Sequence, residues 1–331
     1  MSARSTLLKQ WLDQQGYRDY HLRPASEDAS FRSYLRLQTE QRSLIVMDAP
    51  PDKEPCDQFI LVADKLRAAG LSAPEIIARN REQGFLILTD FGSSDYLSQL
   101  SPETEAELYR DALSALQSMQ TRIEPDDLPP YDSALLQREM DLFHDWFLDK
   151  LMGISLGSEQ QAVWQSIKRR LVENALAQPR VFVHRDYHSR NLMWLEQDNP
   201  GILDFQDAMN GPLTYDLVSL LRDCYIAWPP SRVEQLALDY YETARSNQLV
   251  DVEAAEFMRW FDLMGVQRHL KAIGIFSRLK IRDGKTGYLK DIPRTLQYVR
   301  QVSAAQTSMT ELLDLLETLD LKQRVAALAA G

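Results

Sequence analysis

Three residues with chemistry stand in the order His-x-Asp-x-x-x-x-Asn: His184, Asp186 and Asn191, inside Val181-Phe-Val-His-Arg-Asp-Tyr-His-Ser-Arg-Asn-Leu. A short apolar run, Gly201-Ile-Leu, then delivers a further carboxylate at Asp204. Phosphoryl transfer needs such a set: one carboxylate to orient an acceptor hydroxyl and collect its proton, and hard oxygens to hold Mg²⁺ against nucleotide phosphates. Asp186 is the expected base, because it sits in a polar loop directly after an apolar strand. Asn191 and Asp204 are the expected Mg²⁺ ligands, since that ion keeps some waters and shares its other positions with few protein oxygens. No Ser, Cys or second His is placed to make a triad with His184, which reads instead as a hydrogen-bonding scaffold. His188 and Arg190 lie in the same loop, where they either touch the acceptor or the transferring phosphate, or are solvated. Asp216 opens an apolar helix and reads first as an N-terminal carboxylate favoured by the helix dipole, a reading compatible with its also holding the catalytic loop through backbone N–H groups. Arg222 and Asp223, later on that helix, are candidates for reaching a polar substrate.

The surrounding pattern says what must position these groups. Residues 34–37, 43–47 and 84–89 read as strands, and 57–69 as a helix stopped by Gly70. From residue 92 the pattern becomes helical, over 102–122, 131–150, 158–177, 214–227, 231–246, 251–280 and 290–319. Strand-like runs at 181–184, 192–195 and 201–204 interrupt it and carry the candidate chemistry. The expected fold is α+β: a small antiparallel sheet with one main helix in residues 1–91, then a larger, mostly helical region in 92–331. The leucines of 310–328 read as an ordinary packed terminal helix.

Composition narrows the partners. With 37 Lys+Arg against 48 Asp+Glu the net charge is −11, which repels a phosphate backbone, so nucleic acid is not expected. Cys56 and Cys224 have no C-x-x-C spacing, which suits a reducing compartment. No signal-like apolar region and no window of ~20 apolar residues is present, so the expectation is a cytoplasmic protein off the membrane, with a monomer favoured.

His184, Asp186, Asn191, Asp204 and Tyr215-Asp216-Leu together resemble the aminoglycoside phosphotransferase and choline kinase group of the protein-kinase-like fold. The resemblance spans most of the chain. Within the group the chain is most similar to bacterial kinases that phosphorylate the anomeric hydroxyl of N-acetylmuramate and N-acetylglucosamine in peptidoglycan recycling. Three segments carry that likeness: Ser43-Leu-Ile-Val-Met-Asp-Ala-Pro-Pro, Leu86-Ile-Leu-Thr-Asp-Phe-Gly and Gln267-Arg-His-Leu-Lys-Ala-Ile-Gly-Ile-Phe-Ser-Arg-Leu.

The resemblance implies two lobes with ATP between them, adenine against Thr89, Asp90 and Phe91, and the triphosphate under the turn holding Ser30, Phe31 and Arg32. A small sugar would lie over the helical lobe near Asp186. Two departures stand out. The strand that ends in a phosphate-binding lysine in protein kinases ends here in Met47-Asp48, so Arg32 first, or Lys53 or Lys65, must supply the cation. The turn also lacks glycine, which hinders close backbone approach to phosphate. On the acceptor side His269, Arg268 and Lys271, with Trp260, Phe261 and Phe276 around them, offer cations for a carboxylate and aromatic faces for a ring. Choline, homoserine or an aminoglycoside are rival acceptors. A nucleotide-sensing pseudokinase is the rival class, against which the intact Asp186, Asn191 and Asp204 argue.

Overall fold

The computed structural model describes residues 3–26 and 31–329. In chain order the first elements are α1 (Ala3–Gln14), β1 (His21–Ser26), β2 (Ser33–Gln38), β3 (Ser43–Asp48), α2 (Asp57–Ala68), β4 (Ile76–Asn80), β5 (Phe85–Thr89), α3 (Tyr96–Gln99) and α4 (Glu105–Arg122). There follow α5 (Ser133–Leu142), continued as a π-helix over Phe143–Leu151, then α6 (Ser158–Leu176), β6 (Arg180–Val183), β7 (Leu192–Met193), β8 (Gly201–Ile202) and β9 (Met209–Pro212). The rest is helical: α7 (Tyr215–Leu221), α8 (Pro230–Ser246), α9 (Ala254–Asp283), α10 (Ile292–Ala305), α11 (Thr310–Thr318) and α12 (Leu321–Ala329). By compactness the chain divides into two units, Met1–Ala115 with Arg190–Asp207, and Leu116–Ser189 with Ala208–Gly331. No helix among the described residues is long and apolar enough to cross a membrane.

The first unit is built on a five-stranded antiparallel sheet in the order β1-β2-β3-β5-β4. Strand alternation puts Leu44 and Val46 on one face of β3, where they join Leu37, Phe85 and Ile87 in a core closed by Leu8, Trp11 and Leu12 of α1. A single helix on the sheet was expected, and α1 adds to α2; its apolar residues are too few to stand out among the polar ones. Met47, with the opposite parity, is also fully buried. Pro24, which cannot donate to a ladder, sits on edge strand β1 where the register shifts.

Segment 190–207 belongs to this unit because its hairpin is tied to it. β7 pairs with β8, and Ser72 accepts the Ile202 N–H at 2.7 Å and donates its hydroxyl to the Asp198 carbonyl at 2.7 Å. Asn199 donates to Tyr96 Oη at 2.8 Å and Asp111 Oδ2 at 2.9 Å. Gly201 is required, since a Cβ there would lie 2.7 Å from the Phe91 ring.

In the second unit α9 is the central pillar, buried on nearly every side through its middle, with Gln267, Arg268, His269 and Lys271 buried among its apolar residues. It packs against α5 and its π-helical extension, α6, α7, α8 and α10. Contact with α5 is at backbone distance: a Cβ on Gly274 would lie 2.4 Å from the Leu142 carbonyl carbon. Two helices are shorter than their apolar runs suggest. The 214–227 run stops at Leu221, where Arg222 leaves helical geometry (φ −118°, ψ 52°), and the 290–319 run breaks at Gln306 (φ −101°, ψ 111°). Leu312, Leu315 and Leu316 of the terminal run are buried.

Candidate active site

Strand β6, paired with β9, delivers His184-Arg185-Asp186 at its end. Arg185 turns there with φ 78°, a left-handed conformation that costs a side-chain-bearing residue about 1 kcal/mol. Asp216 holds that turn in place. From the first turn of α7, fully buried, its two oxygens accept the His184 N–H at 2.6 Å and the Arg185 N–H at 2.9 Å. Burial pushes the Asp216 carboxyl up to about 7, against the pull of the two amide donors. A few residues on, Asp223 fixes the far end of the loop, accepting from Ser189 N at 3.0 Å, Ser189 Oγ at 2.5 Å and Tyr225 N at 2.9 Å. His184 packs edge-on against Tyr187, and its Nδ1 accepts the Asp186 N–H at 3.3 Å.

Asp186 is half-buried on this clamped loop. Burial alone would raise its carboxyl, but the charges of Lys271, His188, Arg185 and Arg268 outweigh it and hold the group below the ordinary carboxylate value. It is therefore an ionised acceptor at neutral pH, able to take a hydrogen bond from an incoming hydroxyl. Two of these cations, Lys271 and Arg185, are themselves fixed by Glu139 of α5. That buried carboxylate pairs with Arg185 at 2.5 Å and Lys271 at 3.0 Å, and accepts from Tyr131 Oη. Burial works against the charge on Glu139, yet Lys271 and Arg185 keep it below its usual range. Lys271 also donates to Tyr215 Oη at 2.8 Å. Glu139 was not among the residues expected from sequence. One charged residue in a helical run reads as a solvated face until the partner helix is known.

On the first unit Asn191 and Asp204 meet: Asn191 Nδ2 donates to Asp204 Oδ2 at 3.2 Å, and Gln206 Nε2 to Oδ1 at 2.8 Å. Asp204 has φ 61°, and the Phe205 behind it packs on Phe59 of α2 with ring centroids 4.8 Å apart. Among the described residues there is no cluster of three or more His, Cys, Asp or Glu side chains that could cage a metal. The oxygens that Asn191 and Asp204 carry are hard donors of the kind Mg²⁺ takes from a protein, the remaining positions being left to water and phosphate. Turning the Asn191 amide about its terminal bond would present its oxygen beside Asp204.

The remaining expected residues are placed as follows. Asp90 is engaged through its side chain, accepting from Arg36 at 2.6 and 3.0 Å, from Ser43 Oγ and from Gly92 N at 2.9 Å. Thr89 Oγ1 accepts Glu75 N at 3.0 Å, and the Phe91 ring lies over Gly201. Phe31 is exposed at 62%, with its N–H on Glu54 and its ring under Lys53 Nζ, 4.4 Å from the centroid. Arg32 pairs with Glu54 at 2.8 Å. Ser30 lies outside the described residues. Arg190 is exposed. Arg222 pairs with Asp262 at 2.6 Å and lies over Phe261. His269 is buried, directs Nε2 to the Arg222 carbonyl at 2.8 Å and stacks on Tyr298. Its imidazole is held neutral, pushed down to about 3 by burial and the neighbouring Arg268 charge. The structure thus brings His184, Asp186, Asp216 and Asp223 together at one loop, and turns Arg222 and His269 toward internal partners.

A five-stranded sheet unit, a mostly helical unit and a clamped His-Arg-Asp loop followed by an Asn/Asp oxygen pair define a kinase-like phosphotransferase. The chain belongs to the phosphotransferase enzyme family, whose model matches residues 21–249. It is 48% identical over 297 residues to the N-acetylmuramate/N-acetylglucosamine kinase of Pseudomonas aeruginosa, covering 89% of this chain and 88% of that one. It is 41% identical to the kinase of the same name from Neisseria meningitidis, covering 95% of each. Among solved structures it is similar to a choline kinase from Streptococcus pneumoniae (TM-score 0.64, 11% identity, 91% of this chain and 100% of that one). It is also similar to an ADP-bound aminoglycoside phosphotransferase (TM-score 0.61, 15% identity, 91% and 99%). At those identities the structural likeness establishes the α+β kinase-like fold.

Proposed function

We propose that the protein transfers the γ-phosphate of ATP to the anomeric hydroxyl of N-acetylmuramate and N-acetylglucosamine. The observation that carries this reading is Asp186, an ionised carboxylate on a loop clamped at both ends by Asp216 and Asp223, in a chain at least 41% identical over most of its length to kinases named for those sugars. Asp186 accepts the hydrogen bond of the acceptor hydroxyl, orients its oxygen and takes up the proton late in the transfer. The nucleotide is assigned to residues 1–91 and the acceptor to 92–331. Asn191 and Asp204 are the residues that hold Mg²⁺, which when bound offsets phosphate charge. Arg32 supplies a cation that no strand lysine provides, and the backbone of Thr89 to Phe91 faces adenine. Dependence on ATP supports a cytoplasmic setting.

The test is ADP release across a panel of N-acetylmuramate, N-acetylglucosamine, choline, homoserine and an aminoglycoside. Turnover confined to the two amino sugars, with a sugar 1-phosphate as product, is expected. Turnover with choline or an aminoglycoside alone would overturn the acceptor, and silence across the panel would overturn the enzyme reading.

A further inference from the structure

Of Arg185, Arg268, His269 and Lys271, three are accounted for. Arg185 and Lys271 pair with Glu139, and His269 is neutral and turned to the Arg222 carbonyl. Arg268 is different. It is 6% exposed, and among the described residues its guanidinium has one hydrogen-bond partner, the Cys224 thiol, Nη1 to Sγ at 3.7 Å. Among the described residues its Nε has no hydrogen-bond partner and no ion pair joins its guanidinium. A buried guanidinium with five donors is normally matched by a carboxylate or phosphate, and a thiol is a weak acceptor. Of the carboxylates nearby, Glu139 is committed to Arg185 and Lys271, Asp216 to two backbone amides and Asp223 to Ser189 and Tyr225, which leaves Asp186 as the one whose charge and that of Arg268 act on each other without a hydrogen-bonded commitment of Arg268 to it.

Position points to what the missing anion belongs to. The Arg268 charge acts on Asp186, the group proposed to meet the acceptor hydroxyl. Its one partner, Cys224, is followed by Tyr225, a half-buried ring set between His188 of the catalytic loop and Phe276 of α9, with centroids 5.3 and 6.3 Å away. An aromatic face beside a base and a buried cation suits a pyranose that carries a carboxylate. N-acetylmuramate and N-acetylglucosamine differ by one lactyl ether, whose carboxylate only the former carries.

We propose that Arg268 is the specificity residue that binds the acceptor's carboxylate and so sets the preference between the acidic sugar and the neutral one. This rests on the acceptor reading given above. With the neutral sugar, Arg268 keeps its thiol contact. With the acidic one it gains a charge-assisted, two-pronged partner.

The experiment compares kcat/KM for both sugars, and for the lactyl methyl ester of N-acetylmuramate, in the full-length wild type and in Arg268→Gln. Wild type is expected to prefer the free acid over its ester by at least about 30-fold, the scale of losing one partner of a buried charge pair. In Arg268→Gln the ratio of acidic to neutral sugar should fall at least tenfold, as about 1.4 kcal/mol requires, mostly through KM. Equal losses on both sugars would overturn the proposal, because a phosphate-binding or purely structural arginine would give that result. Should the variant not fold, the acid-against-ester comparison in wild type decides alone, and equal use of acid and ester overturns it. Wild-type silence on both sugars removes the acceptor assignment, and this inference with it. Wild-type turnover without discrimination removes this inference only.

Discussion

The two units treat charge differently. In the first, Arg32 meets Glu54 at 12% and 16% side-chain exposure and Arg4 meets Asp48 at 29% and 15%, while Asp90, at 5%, holds Arg36. In the second, one buried carboxylate serves two cations and a phenol, with Glu139 at 7% and Lys271 at 8%. A pair at the water boundary exchanges partners cheaply, which suits the phosphate-binding role proposed above for Arg32. A buried hub cannot, because removing any member strands a charge in low dielectric. On the assignment proposed above, the phosphate side would adapt to its ligand, whereas the acceptor side would be organised before any ligand arrives, which is what a base needs if its surroundings are not to reorganise during transfer.

Breaking the hub is the sharpest test of that contrast. Glu139→Gln leaves Arg185 and Lys271 buried without a carboxylate, and chemical denaturation should show a loss of about 4 kcal/mol. A loss under about 1 kcal/mol would put the hub on a level with the surface pairs. Asp186→Asn should fold, bind ATP, and turn over at least about 100-fold more slowly; near-normal turnover would remove the base from its role. A pH series then separates the buried region from the rest. The folded-state value for His269, about 3, lies below the free value of 6.5, so its contribution to stability is complete above pH 6.5 and is lost as pH falls from 6.5 toward 3. The urea midpoint of the wild type should therefore drop faster than that of His269→Gln in that window. The excess corresponds to about 1.4 kcal/mol per pH unit at most, and parallel curves would contradict the assignment of a buried neutral ring. The smallest change is expected at the water boundary, where Glu54→Gln should shift stability by less than about 1 kcal/mol. A shift near 4 would erase the difference between the units.

The candidate site was legible in the sequence where it depends on spacing along one segment. Asp186 and Asn191 share one loop, and Asp204 follows an apolar run; no tertiary knowledge is needed to see that pattern. The helix over 57–69 was legible for the same reason, being observed at Asp57–Ala68. Strand β9 was not, because Met209-Asn-Gly-Pro has poor strand formers and becomes a strand only through pairing with Val181 to Val183 of β6. The α7 run overran because apolar residues continue past Leu221 while the backbone turns out of the helix at Arg222. Glu139 was invisible because its meaning lies in Lys271 of a distant helix, and the roles of Arg268, His269 and Lys271 separate only once their partners are known.

The bare backbone contact at Gly274 sets a length elsewhere. Gly274 meets Leu142, and three residues earlier on each of the same helices stand Lys271 and Glu139, joined at 3.0 Å. The absent side chain works as a gauge block of zero thickness: with nothing between α9 and α5 at that crossing, the helices lie close enough for the ion pair to close. A methyl group there would act as a shim, lengthening a charge–charge distance one helical turn away. A hydrogen atom in the helical core thereby helps to determine how firmly the cations beside Asp186 are held.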